Sequence, residues 1–401
     1  MGETNLKKLM IIGATWEQLP LIQTAKSKGY YVVATDSNPE AIGLQYADVT
    51  ESLDPRDLSK ALTIAKKHKV EGVVADECDY SHYAATYVNE TLGFPTDGIA
   101  AAQFTTNKRW MRERCREHHI LQPRFVACRT LEEVEAAAEL IGLPVIVKPT
   151  DNRGSFGVHK VEKNNDLKAA YLDSLLNAHS REVLVEAFIE GTHLTVDGCM
   201  DQNGEHHNLA IASKKVTPGD KPIITEVLYP AAISAESIEH VLKTNSAVIE
   251  ALQIKKGATH SEYVLDDKGR CFLLETATRG GGVLTSAKII PEVSNVNISE
   301  LIIANAMNEK YSVNLSFNKK AAMLTFFIFA PGKVKTIGGL DKANEVPGLL
   351  HIQLSIKQGD VLQPMQSGAD RHGFAIISAE NVDSLEKTRE LIFNTIKIQY
   401  E

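Results

Sequence analysis

The sequence predicts an α/β protein that opens on a parallel sheet and ends in a smaller β-rich part. Two observations predict it. Over roughly the first hundred residues, short apolar runs alternate with helical stretches, and that alternation means a parallel sheet with crossovers. Further along, the apolar run Pro144-Val145-Ile146-Val147-Lys148-Pro149 carries a lysine at its end. The polar stretch Asp151-Asn152-Arg153-Gly154-Ser155-Phe156-Gly157 follows, and a second apolar run begins at Val158. This reads as strand, flexible loop, strand.

Taken in order, Leu9-Met10-Ile11-Ile12-Gly13 is a buried strand ending in glycine, followed by a helix over 17–28. A second strand, 30–36, ends on Asp36. An amphipathic helix over 57–69 leads to a third strand, 72–75. Residues 1–105 therefore read as a Rossmann-like N-terminal domain. Gly13 and Asp36 invite a dinucleotide reading. The turn Gly13-Ala14-Thr15-Trp16-Glu17 has no second or third glycine, and Glu17 would repel a pyrophosphate, so NAD is not expected. The strand ends are expected to face a substrate instead.

Thr105-Thr106-Asn107-Lys108 opens a helix to about residue 118, and Glu132 and Glu133 favour the start of a helix over 131–141. In the strand–loop–strand segment, Lys148 can reach a phosphate. Gly154 and Gly157 let backbone N–H groups close over phosphate oxygens. Strands follow at 183–191 and 194–198, and a helix at 237–252. Two more strands, 258–264 and 271–275, are joined by Asp266-Asp267-Lys268-Gly269. Past residue 310 come short strands at 322–330 and 351–356 and a final helix near 384–397.

The residues that carry chemistry cluster late. Glu262 and Glu275 lie on two strands of one hairpin and can face each other across the ladder. Two like charges there repel unless a cation sits between them. Magnesium with nucleotide phosphates would serve, and manganese is the alternative. Arg279-Gly280-Gly281-Gly282 follows at once; a guanidinium beside glycines suits a carboxylate or an acyl phosphate. Val185-Glu186-Ala187-Phe188-Ile189 has the pattern of an adenine-binding hinge.

In chain order, Lys108, Lys148, the loop 153–157, the hinge at Glu186, the Glu262/Glu275 pair and Arg279 resemble the ATP-grasp family. Asp36-Ser37-Asn38-Pro39 through Tyr46-Ala47-Asp48 resembles its biotin carboxylase-like branch. The Arg279 loop and Gly368-Ala369-Asp370-Arg371-His372-Gly373 look most like L-amino-acid ligases. The resemblance implies a Rossmann-like domain over 1–105, an ATP-grasp domain over 106–310 with a mobile lid near 124–186, and a C-terminal α+β domain over 311–401. It implies that Lys108 and Lys148 hold nucleotide phosphates, that Gly154, Ser155 and Gly157 lie on the lid loop, and that Glu186, Phe188, Ile189 and His193 bind adenosine. Glu262 and Glu275 would hold magnesium. Arg279 would be catalytic together with Lys148, and would bind substrate together with Gly281 and Gly282. Lys214 or Lys215 would also reach the phosphates. The implied reaction joins a carboxylate to an amine through an acyl phosphate, with release of ADP and phosphate. A purine-nucleotide or sugar-linked carboxylate, or a weakly catalytic ATP-binding module, is the alternative.

Two positions depart from the family's pattern. Glu275-Thr276-Ala277 stands where many members have Glu-x-Asn, so either one magnesium is held more loosely or Thr276, Thr278 or water replaces the asparagine. His193 stands where the D-alanine–D-alanine ligases have a ribose-binding glutamate. His372, alone in a loop, reads as incidental rather than as a base.

Composition bounds the partners. The net charge of −8 argues against a nucleic-acid partner, and the apolar runs are far too short for a membrane span. Five scattered cysteines without metal-ligand spacing suggest a reducing, cytoplasmic setting. The expected partners are a small carboxylate and an amine; the sequence leaves the oligomeric state open, and the resemblance allows a homodimer.

Overall fold

The computed structural model describes residues 6–152, 154, 156–217, 223–314, 320–365 and 367–401. Ser155 lies outside the described residues.

The first sheet is parallel, in the order Val49–Ser52, Tyr31–Asp36, Lys8–Ile12, Gly72–Val74. Its strands alternate between two cores. Leu9 and Ile11 pack with Leu21, Ile22 and Ile303, whereas Met10 and Ile12 pack with Ala61, Ile64 and Val88. Burial on both faces explains why these strands read as continuous apolar runs. Val49–Ser52 is a half-exposed edge with no apolar run, so the sequence pattern did not announce it. One covering helix, Ile298–Ala306, comes from far down the chain. Gly72 lets it approach, because a Cβ there would lie 2.8 Å from the Met307 sulfur.

A small antiparallel sheet follows, in the order Phe125–Cys128, Val183–Ala187, Val145–Pro149, His159–Val161. Helices Leu131–Ile141 and Leu167–Leu176 cover it. The first of these starts at a reciprocal cap between Thr130 and Glu133.

The largest element is an antiparallel sheet of eight strands: Cys271–Ala277, Ala258–Leu265, Thr192–Met200, His206–Val216, Ile224–Tyr229, Ala321–Phe326, Gly373–Ala379 and Leu349–Leu354. One of its two cores includes helix residues Met111, Val241 and Val248, and the other Ile290, Ile298 and Leu301. Ala321–Phe326 is hydrogen-bonded to Ile224–Tyr229, which joins it, Gly373–Ala379 and Leu349–Leu354 to this same sheet. A third small sheet joins Val361–Leu362, Gly332–Gly338 and Lys397–Tyr400. The last helix ends at Thr395, two residues short of the sequence expectation, because the chain turns back into that strand. Among the described residues, no helix is long and apolar enough to cross a membrane.

Candidate active site

Glu262 and Glu275 are direct partners in the ladder between Ala258–Leu265 and Cys271–Ala277, with a bulge just after Glu262. Each carboxylate meets a lysine from another element. Lys214 Nζ lies 2.7 Å from Glu262 Oε1, and Lys108 Nζ donates to Glu275 Oε1 at 2.9 Å. Strand alternation chooses between the two adjacent lysines of His206–Val216. The Lys214 side chain is buried, while Lys215 points outward, 67% exposed, toward Glu226. Lys108 opens helix Lys108–Glu117, which Asn107 caps by accepting from the Trp110 N–H. Its ammonium also donates to the Asn152 carbonyl, at the start of the glycine-bearing loop.

One turn along that helix, Arg112 is fully buried and its Nε donates to Glu186 Oε1 at 2.6 Å. Lys148 reaches the other oxygen of Glu186 at 2.7 Å. Burial alone would raise the Glu186 carboxyl, but Arg112 and Lys148 hold it down at about 2. Burial likewise opposes ionisation of Glu262, and Lys214 and then His260 keep it well below the usual carboxylate range. Burial lowers Lys148, only partly offset by Glu186. Lys108 stays raised despite burial, because Glu275 outweighs it. Each of the three lysines therefore lies against a carboxylate.

Two family models match this chain: the ATP-grasp domain over residues 141–287, and the L-amino acid ligase C-terminal domain 2 over residues 325–401. The first span contains Lys148, Glu186, Glu262, Glu275 and Arg279. The chain carries an ATP-grasp domain over residues 141–287. A formate-dependent phosphoribosylglycinamide formyltransferase of Chlorobaculum tepidum is 27% identical, over 98% of this chain and 97% of its own. A D-alanine–D-alanine ligase of Geotalea uraniireducens is 27% identical, over 53% of this chain and 69% of its own. Among solved structures, an L-amino acid ligase from Bacillus licheniformis superposes with a TM-score of 0.84 at 20% identity, covering 98% of this chain and 99% of that one. A phosphoribosylglycinamide synthetase from Anaerococcus prevotii gives a TM-score of 0.76 at 20% identity, covering 99% of this chain and 100% of that one. These likenesses confirm the ATP-grasp fold.

Gly154 and Gly157 both adopt left-handed φ, and a Cβ on Gly157 would meet Asn177 at 2.9 Å. Phe188 is half-buried beneath Lys160, whose ammonium lies 4.5 Å from its ring centroid, and Ile189 is half-buried beside it. His193, on Thr192–Met200, is lowered first by burial and then by Lys214, with Glu262 opposing. Glu186 is engaged by Arg112 and Lys148, so a ribose hydroxyl or amine would have to share its carboxylate with them. Thr276 and Thr278, the suggested stand-ins for a metal-binding asparagine, point elsewhere: Thr276 donates to Ser261, and Thr278 meets Thr105 at 3.2 Å. His372 is buried and accepts the Phe329 N–H at Nδ1, a structural contact.

Arg279 donates from Nε to Asp79 at 2.6 Å and from a terminal nitrogen to the Gly280 carbonyl. Gly281 packs against an ion pair: a Cβ there would lie 2.9 Å from His260 Nδ1 and 3.0 Å from Asp197 Oδ1. His260 and Asp197 are 2.7 Å apart, and Tyr229 donates to the other Asp197 oxygen at 2.7 Å. Burial would lower His260, yet Asp197 raises it to about 9, so it is a cation beside Glu262. Gly282 has open space around it apart from Glu17. Sequence reasoning missed Arg112, Asp79, Asp197, Tyr229 and His260. Only Arg112 carried a local signal, four residues after Lys108 on one helix face.

Proposed function

We propose that the chain uses ATP to join the carboxylate of an amino acid to an amine, with amide formation and release of ADP and phosphate. The observation that carries this reading is the facing pair Glu262/Glu275, with Lys214 and Lys108 on its oxygens and Arg279 four residues past Glu275. The match to an L-amino acid ligase C-terminal domain supports the amino-acid substrate.

In this reading Lys108, Lys148 and Lys214 hold nucleotide phosphates, and the 154–157 loop closes over them. The half-buried Phe188 and Ile189 pack the adenine, and His193 lies toward the ribose. Two facing carboxylates, acceptors without soft ligands nearby, suit magnesium or manganese. When bound there, such a cation supplies charge neutralisation to the phosphate oxygens. The substrate carboxylate oxygen bonds to the terminal phosphorus of ATP as the bond to ADP breaks. The amine nitrogen then bonds to the acyl carbon, loses a proton, and the carbon–oxygen bond to phosphate breaks. Arg279 stabilises the charge on the acyl phosphate, and Gly281 and Gly282 leave room for the substrate beside it. A cytoplasmic setting, suggested by five free buried thiols, and a homodimeric assembly complete the reading. Light scattering checks the second.

The test is phosphate release from magnesium–ATP across single and paired amino acids and other amines. Release that needs a particular pair and falls at least about a hundredfold in Arg279→Ala supports the reading. No substrate-dependent release across the panel refutes it. A second reading, a ligase for a phosphoribosyl-type substrate, is favoured by the formyltransferase relative that spans nearly the whole chain. Release with such a substrate and none with amino acids would select it.

A further inference from the structure

Four acidic side chains of the N-terminal sheet converge on one short stretch of the Arg279 loop. Asp79 accepts from Arg279 Nε at 2.6 Å. Asp76 accepts the Gly280 N–H at 2.8 Å and faces Ser286 Oγ at 2.9 Å. Glu77 accepts the Leu284 N–H at 3.0 Å, and Glu17 accepts the Val283 N–H at 3.2 Å. Asp76 and Glu77 are buried, although carboxylates are rarely buried without partners. They sit just past Gly72–Val74, and Glu17 just past Lys8–Ile12, at the carboxyl ends of the parallel strands. That is where an open α/β sheet holds a ligand. Here the strand ends hold a loop of the same chain.

The loop is one that would not keep this shape by itself. Val283 and Leu284 are consecutive non-glycine residues at φ +58, and left-handed backbone is unusual for a β-branched residue. A π-helical turn, Thr285–Ile289, follows directly. The backbone N–H groups of both left-handed residues are bound by carboxylates that follow the parallel strands. Strained conformations persist where surrounding contacts over-determine them.

We infer that Asp79 and Asp76 are positioning residues: Asp79 aims the Arg279 guanidinium, and Asp76 holds the Gly280–Ser286 backbone in the shape that presents Arg279 and Gly281 to the substrate. The carboxyl ends of the N-terminal strands thus act on the reaction through the loop. This rests on the ligase reading of Arg279, so the experiment separates the two.

Asp79→Asn, Asp79→Glu and Asp76→Asn are made in the full chain, alone and, for Asp79→Asn, together with Arg279→Ala. Asp79→Asn is expected to lower kcat at least about tenfold while the dissociation constant for magnesium–ATP stays within about twofold, and Asp79→Glu to recover part of the loss. In the Arg279→Ala background, Asp79→Asn should change kcat by less than about twofold, because its effect runs through the arginine. A further full loss in that background, or a parallel loss of ATP binding, overturns the inference. Amide exchange supplies a readout independent of substrate. Asp76→Asn should speed exchange at Gly280, Val283 and Leu284 at least about tenfold and leave Cys271–Ala277 unchanged. Unchanged exchange in the loop, or acceleration everywhere, overturns it. If Arg279→Ala leaves turnover intact, the ligase role of Arg279 fails, and the exchange result alone decides whether the clamp exists.

Discussion

Replacing Glu186 by glutamine removes the one negative charge between a fully buried Arg112 and Lys148. The size of the loss follows from the titration of the carboxyl. Its ordinary value is 4.5 and its value in the fold is about 2. At about 1.4 kcal/mol per tenfold change in proton affinity, that difference corresponds to roughly 3 kcal/mol at neutral pH. The figure agrees with the roughly 3–5 kcal/mol expected when a buried ion pair loses one partner. A depressed carboxyl contributes its stability above the unfolded value and loses it as pH falls through the folded one. The contribution is therefore complete at pH 7, falls to about 2 kcal/mol at about pH 3.5, and is gone below about pH 2. Urea unfolding of wild type and Glu186→Gln at pH 7 and at pH 3.5 measures both numbers. A penalty below about 1 kcal/mol at neutral pH, or one that does not shrink with acid, would refute the account of Glu186 as the buried counter-ion.

Lys214→Ala should raise the KM for ATP at least about tenfold, whereas Lys215→Ala stays within about twofold; steady-state phosphate release separates them. Equal effects would overturn the assignment made from strand alternation. Glu262→Gln and Glu275→Gln should each shift the magnesium titration of activity to at least about tenfold higher concentration, and a chelator should abolish turnover. Burial pushes the Cys115 thiol up to about 11 and those of Cys128, Cys199 and Cys271 up to about 12. A disulfide reagent at about pH 8 should therefore leave these four unmodified in the native protein and label them after denaturation. Rapid native labelling would show that their burial is not maintained in solution.

Much of the architecture was legible because it rests on local pattern. The Glu262/Glu275 pairing followed from a hairpin with a short turn, where register is fixed by spacing. The 131–141 helix followed from Glu132 and Glu133 at its start, with the observed bounds. What sequence could not give was the partner of each charge. Lys108 and Glu275 are 167 residues apart, Arg279 and Asp79 are 200, and nothing local connects them. Glu17 is the clearest case. Its charge in the first turn argues against a phosphate there, and the fold uses it to accept the Val283 N–H. The orientation of Lys214 against Lys215 was also hidden, because a strand's inward face is set by its neighbours rather than by its own residues.

The continuous eight-stranded sheet has a consequence for anyone dividing the chain. Ala321–Phe326 is hydrogen-bonded directly to Ile224–Tyr229, and the Glu275 strand belongs to the same plate. Cutting near residue 310 would strip Ile224–Tyr229 of its neighbour and leave a raw edge of unpaired N–H and C=O groups in mid-sheet. The shortened product should self-associate rather than behave as a smaller nucleotide-binding unit. The chain is thus indivisible at that point, and deletions meant to isolate its chemistry belong elsewhere.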